Sequence, residues 1–201
     1  MKTITPELSE ILGLLCAEGS YIKAYSSYWG RGREKPRYFK NDKSERVEFS
    51  NKDIKLLIHF QKLLEKEFNY KTRITKHNKI NICTMSIINQ ILSFTEIGYD
   101  KWKVPNVIKS ANKNIKICFL RGYFDGDGTI SNRIRFFSSN KKGITQVSGL
   151  LNDLKIKHTI QGPILRENRK PSFIIQISEK ERESFLNMIK PLSKRPDSLR
   201  G

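Results

Sequence analysis

The chain has 201 residues, 38 of them Lys or Arg against 20 Asp or Glu, for a net charge of +18. Its 37% hydrophobic content suffices for one sizeable domain or two small ones packed together, and its charge asks for a polyanionic partner, nucleic acid above all. No stretch approaches the roughly 18 consecutive apolar residues of a membrane span, and the start Met-Lys-Thr-Ile-Thr-Pro lacks a signal-peptide core.

Thr5-Pro6 reads as an N-cap followed by proline at the first helical position, and the apolar run behind it predicts a helix of about four turns ending at Gly19. Polar-apolar alternation then predicts strands over 20–29 and 45–50, joined across the Gly- and Lys-rich stretch 30–44 as a long-tipped basic hairpin. Ile54, Leu57, Ile58, Leu64 and Phe68 fall at helical spacing within 53–68. Short strands around 71–75 and 79–85 and a closing helix over 86–94 follow. The order then starts again, with a helix from about 114 to 127, a shorter hairpin at 129–138 and a helix at 141–154. Strands near 157–165 and 172–178 flank a turn at 167–171, and a last helix starts at Glu179. The chain thus divides into a first half-domain at 1–97, a linker at 98–113 and a second half-domain at 114–201, an α+β protein with a pseudo-two-fold.

The repetition is sharpest where 11–19, Ile-Leu-Gly-Leu-Leu-Cys-Ala-Glu-Gly, aligns without a gap on 120–128, Leu-Arg-Gly-Tyr-Phe-Asp-Gly-Asp-Gly. Both carry a central glycine (Gly13, Gly122), an acid in eighth place (Glu18, Asp127) and a closing glycine. Gly13 and Gly122 would let the two helix backbones approach closely. An acid at a helix C-terminus opposes the macrodipole, and two such acids brought together repel unless they share a cation. Taken singly, each copy could simply end a helix, with a C-capping glycine and a solvated acid. Two copies on so basic a chain favour metal ligands. Asp125, with Cys16 opposite it, is expected to serve local structure.

Oxygen ligands without nearby cysteine or histidine select a hard ion: Mg²⁺, with Mn²⁺ able to replace it and Ca²⁺ able to bind unproductively. Cys16, Cys83 and Cys118 share no C-x-x-C spacing, which argues against a disulfide framework or a structural zinc site and for a reducing, intracellular compartment. His59, His77 and His158 are equally scattered and read as surface or core residues.

Both segments resemble the LAGLIDADG motif of homing endonucleases, at the spacing of the monomeric, two-motif members. The resemblance implies an αββαββα fold in each half and a saddle of antiparallel sheets in the DNA major groove. It also implies metal-dependent cleavage of both strands of a long site, leaving short 3′ overhangs. It puts Glu18 and Asp127 at the metal-binding acid position and Ala17 and Gly126 where a backbone carbonyl can add to the shell. It also places a basic residue near the start of the helix after each first hairpin: Lys52 in Ser50-Asn51-Lys52, and Lys141 in the repeated triplet Ser139-Asn140-Lys141. Glu18 in place of Asp, Cys16, Arg121 and Tyr123 depart from the usual pattern.

DNA contact is expected from residues alternating on the exposed sheet face. In the first half these are Lys23, Tyr25, Ser27, Arg31, Arg33, Arg37, Arg46 and Glu48. In the second they are Arg133, Arg135, Thr159, Gln161, Arg166, Ser172 and Gln176. Arg and Gln suit base edges, whereas Lys mostly meets phosphate. Because the halves differ outside the motifs, the target should be a long asymmetric duplex and the protein a monomer. The chain starts Met-Lys-Thr and ends Ser-Leu-Arg-Gly without splice-junction residues, so expression from an intron is expected. An RNA-binding maturase acting on intron RNA, or a regulator that binds DNA without cutting, would use the same basic scaffold.

Overall fold

The structure, a computed structural model, describes residues 4–31 and 36–192. In chain order, α1 (Pro6–Glu18) leads into β1 (Gly19–Arg31) and β2 (Pro36–Ser50), then α2 (Ile54–Phe68), β3 (Lys79–Ile82), α3 (Met85–Leu92) and the short α4 (Asn106–Lys109). The second half runs α5 (Lys113–Asp127), β4 (Gly128–Ile130), β5 (Ile134–Ser138), α6 (Lys141–Asp153), β6 (His158–Arg166), β7 (Arg169–Ile177), a 3-10 turn (Glu179–Glu181) and α7 (Arg182–Ile189). Two antiparallel sheets result, in the orders β1-β2-β3 and β4-β5-β7-β6. Among the described residues no helix is long and apolar enough to cross a membrane.

The fold is built around α1 and α5. Thr5 caps α1 by accepting from the Leu8 N–H, and Asn112 caps α5 by accepting from Ile115. The helices run parallel: Ser9 Oγ donates to the Ile115 carbonyl at 2.8 Å near their starts. A Cβ added at Gly13 would lie 2.2 Å from the Phe119 carbonyl oxygen, and one at Gly122 would lie 2.3 Å from that of Glu10. Positions 10 and 119 correspond under the 109-residue offset that superimposes the motifs, so each glycine admits the other helix's backbone in the same way, as a local two-fold requires. The core wraps these helices, with Leu12, Leu15, Val47, Phe49, Phe60, Phe119, Phe124, Phe136, Ile175 and Phe185 all buried.

Several expectations need correction. The first hairpin is far longer than its alternation indicated, with strands of 13 and 15 residues. Residues 71–75 form no strand, leaving β3 alone to pair with β2. The buried stripe of α2 is Leu56, Leu57, Phe60, Leu63 and Leu64, whereas Ile54 and Ile58 are exposed. The linker at 98–113 is itself packed: Trp102 is buried over Gly143 and lies 4.9 Å from the Tyr123 ring, and its carbonyl accepts from Asn140 Nδ2 at 2.7 Å.

The departures at Arg121 and Cys16 have structural reasons. Arg121 reaches from α5 to the Ile189 carbonyl at 2.7 Å and to the buried Glu10 carboxylate of α1 at 3.2 Å, which His59 of α2 also meets at 2.6 Å. Replacing Arg121 by Ala strips Glu10 of its permanent cation. A penalty of about 2 kcal/mol is expected, since breaking a fully buried pair costs roughly 3 to 5 and Arg121 is part-exposed. Thermal denaturation should read this as a fall of about 4 to 8 °C. Asp125 is buried and accepts the Leu192 N–H at 2.9 Å, while its counterpart Cys16 meets Thr95 and has its thiol pushed up by burial. Leu192 and Thr95 each stand three residues beyond the last helix of their half. Cys16 and Asp125 therefore both anchor the segment that leaves α3 or α7.

Candidate active site and nucleic-acid interface

The close packing of α1 on α5 brings their C-terminal ends together. A Cβ at Gly126 would stand 2.4 Å from that of Ala17 and 3.3 Å from Cγ of Glu18, so Gly126 is what allows its counterpart to be alanine. Asp127 follows directly, and the two acids share one end of the helix pair, both part-exposed. Glycine at 19 and 128 is not a left-handed C-cap, because both have extended backbone (φ −82° and −87°). Crowding requires it: a Cβ would meet the Leu15 carbonyl at 2.3 Å and the Phe124 ring at 2.3 Å. Just inside this floor, Tyr123 is buried with its hydroxyl donating to the Phe137 carbonyl at 2.9 Å. Burial, and then the charge of Asp127, hold its phenol well above the usual range.

Beside Glu18 opens a cavity of about 590 Å³ whose wall includes Gly126, Ser50, Asn51, Lys52, His77, Asn78 and Lys79. Lys52, named through the family resemblance, thus lines the same cavity as Glu18. Lys141 is a different matter. Gly19 pairs with Phe49 and Gly128 with Phe136, and the next helices are N-capped by Asp53 and Asn140, four residues beyond each Phe. Strand register and cap therefore agree that Ser139 is the counterpart of Lys52. Lys141 is the exposed first residue of α6, and the repeated Ser-Asn-Lys triplet misled because its second copy is displaced by two residues.

The sheet faces split the contact list. In the second half Arg135 pairs with Gln176 and Gln176 with Thr159, opposite the core face of Ile134, Phe136 and Ile175. Arg133, Gln161 and Ser172 fall on this outer face by alternation, and Arg133 and Arg135 both donate to Gln176 Oε1, at 3.3 and 3.2 Å. Arg166 is exposed at the β6–β7 turn, paired with Arg169. On β1 the reading slipped by one residue. Tyr21 pairs with the buried Val47, and Lys23 and Tyr25 with Glu45 and Lys43, so Lys23 and Tyr25 continue the core side of β1 where the ribbon projects beyond the core.

The outer face of that ribbon carries Ser20, Ile22, Ala24, Ser44, Arg46, Glu48 and Ser50, with Lys79 and Asn81 from β3. Most of these lack the charged or aromatic character that drew attention to their neighbours. Glu48 is not presented to a ligand. It is buried and holds Lys79 Nζ at 2.7 Å, with Arg46 Nε 3.8 Å away. The side chains of Ser27, Arg31 and Arg37 and all of Arg33 lie outside the described residues. Of the histidines, His59 serves Glu10, and His158 meets Ser148 Oγ at 2.6 Å. His77 stands in the cavity wall, a placement that required the turn before β3 to be known.

Comparison with known proteins agrees with this architecture. A family model described as LAGLIDADG-like domain matches residues 114–190. A structure of mesophilic variants of the homing endonuclease I-DmoI superimposes with a TM-score of 0.68 at 22% identity, over 94% of this chain and 98% of that one. I-DmoI in complex with DNA and Mn gives 0.66 at 21%, over 92% and 96%. The N-terminal LAGLIDADG domain of DUF199/WhiA gives 0.56 at 17%, over 97% and 85%. A DNA polymerase of Methanocaldococcus jannaschii is 26% identical over 95% of this chain, which spans only 12% of the polymerase's length. Residues 114–190 thus match a LAGLIDADG-like domain, and the whole chain has the two-half fold seen in the homing endonuclease I-DmoI.

Proposed function

We propose that this chain is a site-specific, intron-encoded endonuclease that binds a long asymmetric DNA duplex as a monomer. It hydrolyses both strands with divalent metal held at Glu18 and Asp127, leaving short 3′ overhangs. The observation that carries the reading is the meeting of two equivalent acids at the C-terminal ends of glycine-packed helices, on a chain of net charge +18.

The donors fit a hard cation. Two carboxylates, which the backbone carbonyls of Ala17 and Gly126 would join, make an all-oxygen set. Among the described residues no group of three His, Cys, Asp or Glu side chains gathers, so phosphate and water oxygens would complete the shell, as is usual for Mg²⁺. Mn²⁺ suits the same donors, and Ca²⁺ would occupy them without supporting cleavage. When bound, Mg²⁺ supplies an activated water and charge stabilisation for the leaving 3′ oxygen. Glu18 and Asp127 would hold it. Lys52 offers its ammonium to the charge that develops on the phosphate. The outer sheet faces seat the duplex, with Arg135 and Gln176 able to reach base edges. The matched I-DmoI structures, bound to DNA with Mn and with Ca, support a DNA partner and divalent metal.

Incubation with a randomised duplex library tests this. In Mg²⁺ the protein should make double-strand breaks at one long, non-palindromic sequence, and in Ca²⁺ it should retain that sequence uncut. Retention without cutting in Mg²⁺ and Mn²⁺ alike would replace the nuclease by the non-cleaving regulator or the maturase.

A further inference from the structure

The cavity beside Glu18 has a wall that the reading above leaves unused: the turn carrying His77. This turn is fixed to the end of β2. Asn78, in the left-handed region at φ 55°, donates its N–H to the Thr75 carbonyl at 3.0 Å, and its own carbonyl accepts from the Asn51 N–H at 3.3 Å. Thr75 closes the other side, bonding the Lys79 carbonyl and N–H at 2.8 and 3.2 Å. The turn is therefore tied to Asn51 through Asn78, and His77 lines the same cavity as Asn51 and Lys52. Its neighbour Lys79 gives its ammonium to Glu48. Among the described residues, the side chains of Lys52 and His77 make no hydrogen bond or ion pair, and they face the Glu18 cavity with their donors available.

We propose that His77 positions the DNA backbone in the first half-site, donating a ring N–H to a non-bridging oxygen of a phosphate beside the bond that Glu18 serves. The inference rests on the nuclease reading and deepens it. A neutral imidazole always carries one N–H, so the contact requires no protonation. The second half-site lacks this group. Phe49 pairs with Ile80 and Phe136 with Ile175, which makes Ser172 the counterpart of His77, as Ser139 is of Lys52. An imidazole and an ammonium in one half thus face two short hydroxyls in the other. Loss of His77 must act on one strand.

The test crosses His77→Ala with methylphosphonate replacement of single phosphates around the centre of the selected target. It is read as affinity in Ca²⁺ and as strand-resolved cutting rates in Mg²⁺. At one phosphate, neutralisation should weaken the wild type about fivefold to tenfold and His77→Ala no further, the scale of one hydrogen bond to a charged group. The strand holding that phosphate should be cut about tenfold more slowly by His77→Ala, with the other strand within about twofold. His77→Gln, which keeps a donor, should recover most of the rate, and the thermal midpoint should not move. Equal responses of wild type and variant to every replacement, or equal slowing of both strands, would overturn the role. A wild type that shows the coupling but cuts neither strand would overturn the nuclease reading and leave the His77 contact standing.

Discussion

Glu18→Gln and Asp127→Asn are each expected to bind the selected duplex and to make no double-strand break. Both substitutions keep side-chain shape while removing one of two carboxylates from the metal's donor set. The metal's charge stabilisation is worth several kcal/mol, and at 1.36 kcal/mol per tenfold the rate should fall about a thousandfold or more for both strands. Stability should move the other way. Each acid ends a helix of 13 or 15 residues with its charge against the macrodipole, so its neutral amide should add about 0.3 to 1 kcal/mol. Affinity in Ca²⁺-free buffer should hold or improve, because a negative charge leaves the surface that meets phosphate. Loss of cutting with a raised or unchanged thermal midpoint separates a ligand from a structural acid. A variant that cuts both strands at wild-type rates would remove its residue from the metal site.

How much of this was legible in the sequence depended on whether a local signal or a tertiary contact decided the matter. α1 and α5 were plain, since Thr5-Pro6 is a start signal that needs no partner and the acid-glycine ends repeat without a gap. The pseudo-two-fold followed from them, whereas Lys52 was named only through the family resemblance. The faces of β1 were not legible. In the second half charged residues and outward pleat coincide at Arg133 and Arg135, but in β1 Lys23 and Tyr25 lie on the core side of a ribbon that outruns its core, where exposure no longer marks the face. Lys141 failed for a related reason. A three-letter identity outweighed strand register, which only the pairing of Gly128 with Phe136 could supply. Trp102 sat in a polar stretch, and its burial depends on the space left by Gly143, 41 residues further on. His77 belongs to the same class, because the lone histidine has meaning only once its turn is tied to Asn51.

Gly122→Ala should be among the most damaging single-methyl changes in the molecule, and Gly149→Ala should stabilise it. Both glycines are inside helices, α5 and α6, where Ala gains up to about 1 kcal/mol over Gly by intrinsic propensity. At Gly149 nothing lies within 4 Å of an added Cβ, so that gain is realised and the melting temperature should rise by about 2 to 4 °C. At Gly122 the added methyl falls 2.3 Å from the Glu10 carbonyl oxygen and 3.0 Å from the Leu14 nitrogen. These are backbone atoms of α1 that cannot rotate away, so the helices must separate. Overpacking of this kind costs about 1 to 3 kcal/mol or more, which outweighs propensity and should lower the midpoint by about 2 to 8 °C. Separation at Gly122 also widens the gap between Glu18 and Asp127 at the ends of the same helices, so cutting should fall by more than the lost stability explains. A Gly122→Ala protein as stable and active as wild type would show that the close approach of α1 and α5 does not set the distance between the two acids.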